Sequence, residues 1–532
     1  MMENKAGYIV GEVDTGNFGF ISDLDSYPPR HEYLVIPDVK ERVGDRVKKV
    51  NVLAQVNRIS NYSDILGEGL SLDELEKLID RYTATTKVYG TAKVLGYLNE
   101  RNEVVVPRSA AIPGQKVYIA PSDLLSRFFT KNKGNGIPVG GLITREEVRV
   151  QIDPNGFRKH VSVIAQTGAG KSYLVGLILE NLLPLGATII VLDPNSDYVM
   201  MKKTGDGQPT EIADDLSVYR PPGIKGRRYS DTDIGGAENY TIDFSRLTDS
   251  EICEVAGISS RWVHIRGAIS DALKSLEGTY GPKQLVDRLS HMALAEEDRQ
   301  RREAAGRASN YIRRLMTYSV WGSQSIPIDD LMKPKHMSVI DLAGLQRHVS
   351  QYIVQKTLED LWSLAVTGQL KYPIFVVLEE AHNFAPGTQV NAQSACLDII
   401  EKIAAEGRKF GIFQMVVTQR PGKISSNVLS QCNSQIIMRL TNPEDMSAVR
   451  RSSEGLSEDL FNDLPGLNKG EAVVVGELTK IPTMVKISGR KSGEGGSDID
   501  LNAALSRALA DYNRDKRMAP EEAVDKEYDT KW

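Results

Sequence analysis

The spacing of apolar residues changes along the chain near residue 148. Up to about Gly141, short apolar runs separated by turns include GYIVGEV, FGFIS, EYLVIP, EVVVP and QKVYIA. Such runs are typical of short strands, and we expect residues 1–141 to form a small β-barrel. One stretch differs, because Leu72, Leu75, Leu78 and Ile79 recur at helical spacing. This spacing predicts a helical insertion near residues 71–82.

From Val148 onward, apolar runs alternate with long helical stretches. The runs are VSVIA, ATIIVLD, MSVIDL, IFVVLE, FQMVVT and SQIIMRL. Continuous apolar strands separated by helices predict a mostly parallel sheet with helices on its faces, which is the α/β class. We assign residues 142–246 and 326–488 to two parts of one such core.

The residues between these two parts, 247–325, have a helical pattern and many charges of both signs. This pattern favours a helical subdomain with a solvated surface. Its basic cluster could instead face a nucleic acid, although three acidic neighbours weaken that interpretation. The cluster comprises Arg299, Arg301, Arg302, Arg307, Arg313 and Arg314.

Residues 489–532 form the last predicted segment. The stretch SGRKSGEGGSD, which begins at Ser488, has the composition of a flexible linker. Leu501, Leu505 and Leu509 then predict a tail helix, which could dock on a neighbouring subunit.

Composition and charge restrict the class of protein. The 532 residues exceed what one hydrophobic core usually organises, and 41% hydrophobic with 25% charged residues is ordinary globular composition. The net charge of −5 means that any nucleic-acid contact requires a local basic surface. Three distant cysteines argue against a disulfide framework or a zinc site. With no apolar run long enough for a membrane span, we expect a cytoplasmic protein.

The first chemical motif is the loop AQTGAGKS, residues 165–172, between an apolar strand and an apolar helix. It matches the phosphate-binding P-loop except that Ala165 replaces the first glycine. We expect Gly168, Ala169, Gly170, Lys171, Ser172 and Tyr173 to bind a nucleotide, and the Ser172 hydroxyl to hold Mg²⁺. Ala165 lies at the strand end, away from the phosphates, so its substitution should cost little.

The second motif is an apolar strand, Ile374 to Leu378, that ends in Glu379 and Glu380. In nucleotide hydrolases one such acid holds Mg²⁺ and the next polarises the attacking water. We assign Glu379 to the metal and Glu380 to the water. Aspartate is more usual at the first position, and a charged strand end facing solvent is the alternative.

Two further residues near the next strand are candidates for catalysis. Gln419 follows the strand FQMVVT, where a polar side chain can sense the γ-phosphate or orient water. Arg408 precedes that strand and is a candidate arginine finger, a role that an adjacent subunit can supply. The alternative for Arg408 is an unpaired surface arginine.

These motifs occur in an order that resembles the HerA family, within the FtsK–HerA group of DNA-translocating P-loop ATPases. The resemblance rests on FRKHVSVIAQTGAGKS, VIDLAGL, VVLEEAHNFAP, EGRKFGIFQMVVTQRP, SQIIMRLTNPED and LPGLNKGEAVVVGE. It implies a RecA-like ATPase core, an N-terminal barrel like that of rotary ATP synthase subunits, and a homohexameric ring. It also implies ATP and Mg²⁺ between subunits, with Arg408 completing the neighbouring site.

The resemblance further implies a helicase-type motor with double-stranded DNA in its central channel. Lys423 and the loop PGTQVNAQSA are possible channel elements, although each could be an ordinary connection. Members of the family work with a NurA-type nuclease in DNA repair, or with a sirtuin-like NAD-consuming enzyme or another nuclease in antiviral defence. For His160, His291 and His382 a structural role is the common interpretation.

Two other functions stay open at this point. Related motors move proteins, although the HerA-like barrel and the missing membrane anchor argue against that. Alternatively, the ring is a scaffold that activates a partner enzyme and hydrolyses ATP slowly.

Overall fold

The computed structural model describes residues 4–43, 46–63, 65–66, 68–82, 86–130, 135–224, 227–387, 394–496 and 501–518. No helix among these residues is long and apolar enough to cross a membrane. The helices are α1 (Leu72–Tyr82), α2 (Ser122–Phe129), α3 (Lys171–Leu182), α4 (Asp249–Val255), α5 (Val263–Leu273), α6 (Pro282–Ala295), α7 (Arg299–Leu315), α8 (Ile328–Leu331), α9 (Arg347–Val366), α10 (Leu397–Phe410), α11 (Ser426–Gln431), α12 (Pro443–Ser452), α13 (Glu458–Asp463) and α14 (Leu501–Met518).

The N-terminal strands form a closed antiparallel barrel. They are β1 (Lys5–Val13), β2 (Asn17–Ser22), β3 (Tyr33–Val43), β4 (Arg46–Tyr62), β5 (Lys87–Leu98), β6 (Val104–Val105) and β7 (Lys116–Ile119). Their order is β2-β1-β7-β3-β4-β5-β6, and β2 also pairs with β5, which closes six strands into a ring. Alternate residues such as Phe18 and Phe20 fill the interior. The predicted barrel is confirmed, and α1 lies where the helical spacing predicts it.

The other strands are β8 (Ile137–Leu142), β9 (Arg145–Ile152), β10 (Val161–Ile164), β11 (Thr188–Asp193), β12 (Leu216–Arg220), β13 (Glu238–Asn239), β14 (Ile242–Asp243), β15 (Trp321–Gly322), β16 (His336–Asp341), β17 (Ile374–Leu378), β18 (Ile412–Thr418), β19 (Ser434–Met438), β20 (Glu471–Val475) and β21 (Thr483–Ile487). Twelve of them form one sheet in the order β13-β12-β16-β11-β17-β18-β10-β19-β20-β21-β8-β9. Strands β13 to β19 of this order are parallel, and the last four continue the sheet in antiparallel pairing. The predicted α/β core is therefore confirmed.

Strand β8 belongs to the large sheet, although the expected boundary places most of it in the barrel. The expected boundary after residue 141 cuts through β8, which pairs with β9 and β21 of the large sheet. A short glycine-containing strand has the same local pattern in either domain. The sequence pattern therefore does not indicate which of the two sheets β8 joins. We propose a boundary before Ile137.

The helical subdomain, α4 to α7, joins the core through the two-stranded sheet of β14 and β15, in which Ile242 pairs with Trp321. A capping box of Thr248 and Glu251 begins α4. Buried residues of the subdomain, including Ile269 and Ile312, belong to the same apolar cluster as Leu378 of the core. The subdomain therefore packs continuously against the large sheet.

The segment 489–496 follows the surface of the core, although its composition suggests a free linker. The amides of Lys491 and Ser492 both donate to the Glu180 carboxylate of α3 at 2.9 Å. The amide of Gly493 donates to the Lys203 carbonyl at 2.6 Å. Glycines here permit close contact with the core, so we call residues 489–496 the C-terminal strap. Docking of α14 on a neighbouring subunit stays a prediction.

Candidate nucleotide-binding site

The loop at residues 165–172 turns from the end of β10 into the N-terminus of α3. Gly168 and Gly170 have φ values of +78° and +104°, in the left-handed region that favours glycine. Ala165 is buried, and its amide donates to the Thr418 carbonyl of β18 at 3.3 Å, continuing the strand pairing. An alanine suits this position because its backbone is extended from the strand and its methyl group joins the core.

Lys171 lies between the two acidic residues. Strands β10 and β17 both border β18, so the start of α3 and the end of β17 meet at one edge of the sheet. The Lys171 ammonium contacts Glu379 and lies 2.9 Å from Oε1 of Glu380. Burial disfavours the charged lysine, but the two carboxylates outweigh burial and raise its pKa.

The two glutamates have opposite electrostatic environments. Glu379 is fully buried, and burial raises its pKa against the effect of Lys171. It also accepts a hydrogen bond from the Tyr198 hydroxyl. For Glu380, burial is opposed more strongly by His382 and Lys171, which lower the pKa of its carboxyl to about 2. The Nδ1 atom of His382 lies 3.2 Å from Oε2 of Glu380.

This difference separates the chemical abilities of the pair. A carboxyl group with a low pKa stays ionised and accepts hydrogen bonds. Glu380 is therefore better suited to orient a water molecule than to take a proton from that water and keep it. The Glu380 backbone is itself unusual, with φ 48° and ψ 47°. A non-glycine residue in this conformation carries strain, which is common where a side chain is directed for function.

Gln419 connects the P-loop with Glu380. Its Nε2 donates to Oε1 of Glu380 at 2.6 Å, and its Oε1 accepts from the Thr167 hydroxyl at 2.5 Å. If Thr167 moved, the side chain of Gln419 would therefore transmit that movement to Glu380. The role of Gln419 as a γ-phosphate sensor stays a prediction.

Three contacts of the loop were not predicted from the sequence. The Ser172 hydroxyl donates to Oδ2 of Asp197 at 3.0 Å, and Arg490 of the C-terminal strap donates to the Ser172 carbonyl at 2.7 Å. The Tyr173 hydroxyl accepts from the Arg490 amide at 3.1 Å. Asp197 and Tyr198 follow β11, and their position after a buried strand was a usable signal. No sequence signal identified Arg490, because it lies in a glycine-rich stretch.

The residues present fit a nucleotide phosphate and Mg²⁺. The first amides of α3 and the Lys171 ammonium are donors for phosphate oxygens. A Cβ at Gly168 would meet no atom within 4 Å, so the space beside the loop is open. Ser172 and Glu379 offer oxygen ligands, and Mg²⁺ commonly takes only one or two from the protein. The described residues contain no group of three or more His, Cys, Asp or Glu side chains placed to hold a metal alone. Mg²⁺ bound here would neutralise charge on the phosphates.

Comparison with known proteins agrees with the family that the sequence motifs resemble. The central domain of helicase HerA matches residues 137–361. The DNA double-strand break repair helicase HerA of Pyrococcus furiosus is 29% identical, with 94% of this chain and 96% of that protein covered. The chain is therefore similar to HerA helicases over nearly its whole length. It is an ATP hydrolase of the P-loop class.

A second HerA repair helicase, from Saccharolobus solfataricus, is 25% identical and covers 93% of this chain and 94% of its own length. Among solved structures, the plasmid coupling protein TrwB in complex with ADP and Mg²⁺ is 15% identical. It covers 70% of this chain and 93% of its own, with a TM-score of 0.49.

Arg408 lies at the opposite end of β18 from the nucleotide-binding loop of the same chain. It is exposed in the last turn of α10, four residues before β18 begins. Gln419 follows the other end of β18, about 20 Å away at the rise of a β-strand. Within the described residues the Arg408 guanidinium forms no ion pair or hydrogen bond.

The predicted channel elements are adjacent where the structure describes them. The Gly387 amide donates to the Lys423 carbonyl at 2.8 Å, and Lys423 is exposed. Residues 388–393 of the predicted channel loop lie outside the described residues.

The three histidines have different surroundings. Besides its contact with Glu380, His382 has Nδ1 3.3 Å from the Thr418 hydroxyl. His160 is buried before β10, and His291 is exposed on α6. Of the three, therefore, only His382 touches the nucleotide-site residues.

Proposed function

We propose that this chain is the subunit of a homohexameric, ATP-driven motor that translocates along double-stranded DNA. The observation that carries the proposal is the separation of Arg408 from Lys171 and Glu380 by the length of β18. An arginine finger at that position serves a site only when a neighbouring subunit presents it. A ring provides such a neighbour at every interface.

The substrate is inferred from the relatives and from the charge of the chain. The HerA proteins of Pyrococcus furiosus and Saccharolobus solfataricus are both named DNA double-strand break repair helicases. With a net charge of −5, the chain requires a local basic surface for DNA. Lys423 and the loop beginning at Gly387 are our candidates, making sequence-independent contacts with phosphates inside the channel.

In this motor Lys171 and the loop amides bind the phosphates of ATP, while Ser172 and Glu379 hold Mg²⁺. Glu380 orients the attacking water, with Gln419 reporting the position of the P-loop. Arg408 of the neighbouring subunit stabilises charge that develops during phosphoryl transfer.

We further propose that the ring works with a partner that acts on the DNA it delivers. A NurA-type nuclease in DNA end processing fits the names of the relatives. A defence effector, such as a sirtuin-like NAD-consuming enzyme or another nuclease, is the other possibility for the partner.

The test is ATP hydrolysis by the purified chain with and without linear duplex DNA, together with its oligomeric state. We expect stimulation by DNA in the wild type and loss of hydrolysis in Lys171→Ala and Glu380→Gln. As a matched control, Glu277→Gln changes an exposed glutamate of the helical subdomain and should keep full activity. Hydrolysis without any DNA response, together with partner activation by Glu380→Gln rings, would favour the scaffold.

A further inference from the structure

The helical subdomain contains a groove that the ATPase site does not use. The groove lies between the start of α5 and the second half of α7, and its volume is about 720 Å³. We call it the α5–α7 groove. Its lining includes Arg261, Trp262, Val263, Arg307, Tyr311 and Arg314. Trp262 is 42% exposed and Val263 68%, so both present apolar surface in the groove.

The groove is basic because the acidic residues near α7 lie at the N-terminal end of the helix, outside the groove. Asp298 caps the N-terminus of α7 by accepting from the Arg301 amide at 2.9 Å. Glu303 pairs with Arg299 at 3.0 Å, near the same end of the helix. From residue 304 to residue 318 the sequence contains no acidic residue. The acidic neighbours that weakened a nucleic-acid interpretation of this helix therefore lie outside the groove.

The basic and aromatic side chains of the groove form one continuous surface. Arg307, Tyr311 and Arg314 follow the helical spacing of four and three residues, which puts them on one face of α7. The Trp262 and Tyr311 rings have centroids 5.4 Å apart, and the Arg314 guanidinium lies 5.5 Å from the Tyr311 centroid. No ion pair involves Arg261, Arg307 or Arg314 within the described residues.

We propose that the α5–α7 groove binds single-stranded nucleic acid. An unpaired base stacks on the exposed Trp262 ring, and Arg307 and Arg314 contact the neighbouring phosphates. A duplex suits the groove less well, because its bases are stacked on one another and offer no free face. An acidic peptide would satisfy the arginines but leave the aromatic platform without a matching partner. The groove lining includes neither Lys423 nor Gly387, the proposed channel residues, nor any assigned nucleotide-site residue, and we expect single-strand binding here without hydrolysis.

The experiment measures binding of a fluorescent dT12 oligonucleotide to the full chain by anisotropy, at several salt concentrations and without ATP. The variants are Trp262→Ala, Trp262→Phe and the double change Arg307→Ala with Arg314→Ala. The control is Arg301→Ala with Arg302→Ala, which removes the same charge from the same helix outside the groove. Thermal unfolding establishes that each variant is folded, and a duplex of equal length measures binding in the channel.

We expect Trp262→Ala and the Arg307/Arg314 double change each to weaken dT12 binding at least tenfold, with Trp262→Phe and the control within threefold. The double change should reduce the slope of log affinity against log salt by about 1.4. Duplex affinity should stay within twofold.

Three results would overturn the proposal. One is equal dT12 binding by every variant, and another is an equal loss in the Arg301/Arg302 control. The third is that Trp262→Ala changes only the oligomeric state, or only binding of a polyglutamate peptide. That outcome would assign the groove to a second copy of the chain or to an acidic protein partner.

Discussion

The ammonium nitrogen of Lys171 lies 2.9 Å from Oε1 of Glu380 and also contacts the fully buried Glu379. The lysine that is assigned to phosphate is thus also the charge that balances two buried carboxylates. Removing one member of a buried ion pair leaves a charge without compensation and commonly costs several kcal/mol. A lysine substitution in this loop therefore changes stability as well as nucleotide binding.

Accordingly, Lys171→Met should lower the free energy of unfolding by about 3 kcal/mol. Adding Glu379→Gln to Lys171→Met should restore at least half of that loss, because the uncompensated charge is removed. Chemical unfolding of the two single variants and the double variant measures this coupling. Lys409→Met, at an exposed position on α10, is the control and should be neutral. Additive effects of the two substitutions would contradict the coupling.

Gln419 should act on turnover and not on ATP affinity. Gln419→Leu keeps the approximate volume of the side chain but removes its contacts with Thr167 and Glu380. We expect kcat for ATP to fall about a hundredfold, as when one oriented hydrogen bond at a reacting centre is removed. KM should change less than about threefold, since neither contact is with an assigned phosphate ligand.

The matched control for Gln419→Leu is Gln369→Leu, at an exposed position after α9. Thr167→Val removes only one of the two Gln419 contacts and should give an intermediate kcat. A rise in KM without a change in kcat would show that Gln419 helps bind ATP and does not sense it.

His160 should make stability depend on pH. Burial is the main reason that its pKa falls from 6.5 to about 4, and its Nδ1 accepts the Gln414 amide at 2.9 Å. The unfolded chain gains a proton near pH 6.5 and the folded chain only near pH 4, so stability is lost as the pH falls between these values. The loss from this group totals about 3 kcal/mol.

The variant that tests this is His160→Asn, because asparagine does not titrate and its amide oxygen can accept the Gln414 hydrogen bond. Unfolding free energies at pH 7 and pH 4.5 should differ less in the variant than in the wild type, by about 2 kcal/mol. Equal pH dependence of the two proteins would mean that His160 is charged in the folded state.

Strongly periodic apolar runs predicted most of the fold. The six parallel strands from VSVIA to SQIIMRL are all observed, because each is buried on both faces and is therefore apolar throughout its length. Strand β8 was assigned to the barrel, since which sheet a short strand joins depends on distant partners. The residues of the phosphate loop and the glutamate pair were identifiable because their chemistry requires a fixed local order.

The contacts with Asp197 and Arg490 were less accessible from sequence. Asp197 meets Ser172 only because β11 and β10 end at the same edge of the sheet, with β17 and β18 between them. Arg490 contacts Ser172 because the C-terminal strap runs along α3. No local sequence pattern predicts that path. Topology therefore decided which polar residues surround the predicted site.

Arg490 should hold the C-terminal strap against the nucleotide loop. A Cβ at Gly176 of α3 would lie 2.3 Å from the Arg490 guanidinium carbon, so the two residues pack without spare room. Arg490→Ala should lower the free energy of unfolding by about 2 kcal/mol, because the guanidinium hydrogen bonds to the Ser172, Ser492 and Gly493 carbonyls are lost. Lys491→Ala breaks only an exposed ion pair with Glu211 and should cost less than about 1 kcal/mol. A neutral Arg490→Ala would show that the strap is held by its backbone contacts alone.

Arg408 provides the most direct test of the ring. Rings of Arg408→Ala and rings of Glu380→Gln should both be nearly inactive, whereas Lys409→Ala should hydrolyse ATP normally. If the two inactive chains are produced together, an intact Glu380 site will meet an intact Arg408 at about a quarter of the interfaces, and hydrolysis will recover accordingly. Recovery requires that the two residues act from different subunits, because no single chain in the mixture has both. Mixed rings that stay as inactive as the parents would instead assign Arg408 to its own subunit or to no catalytic role.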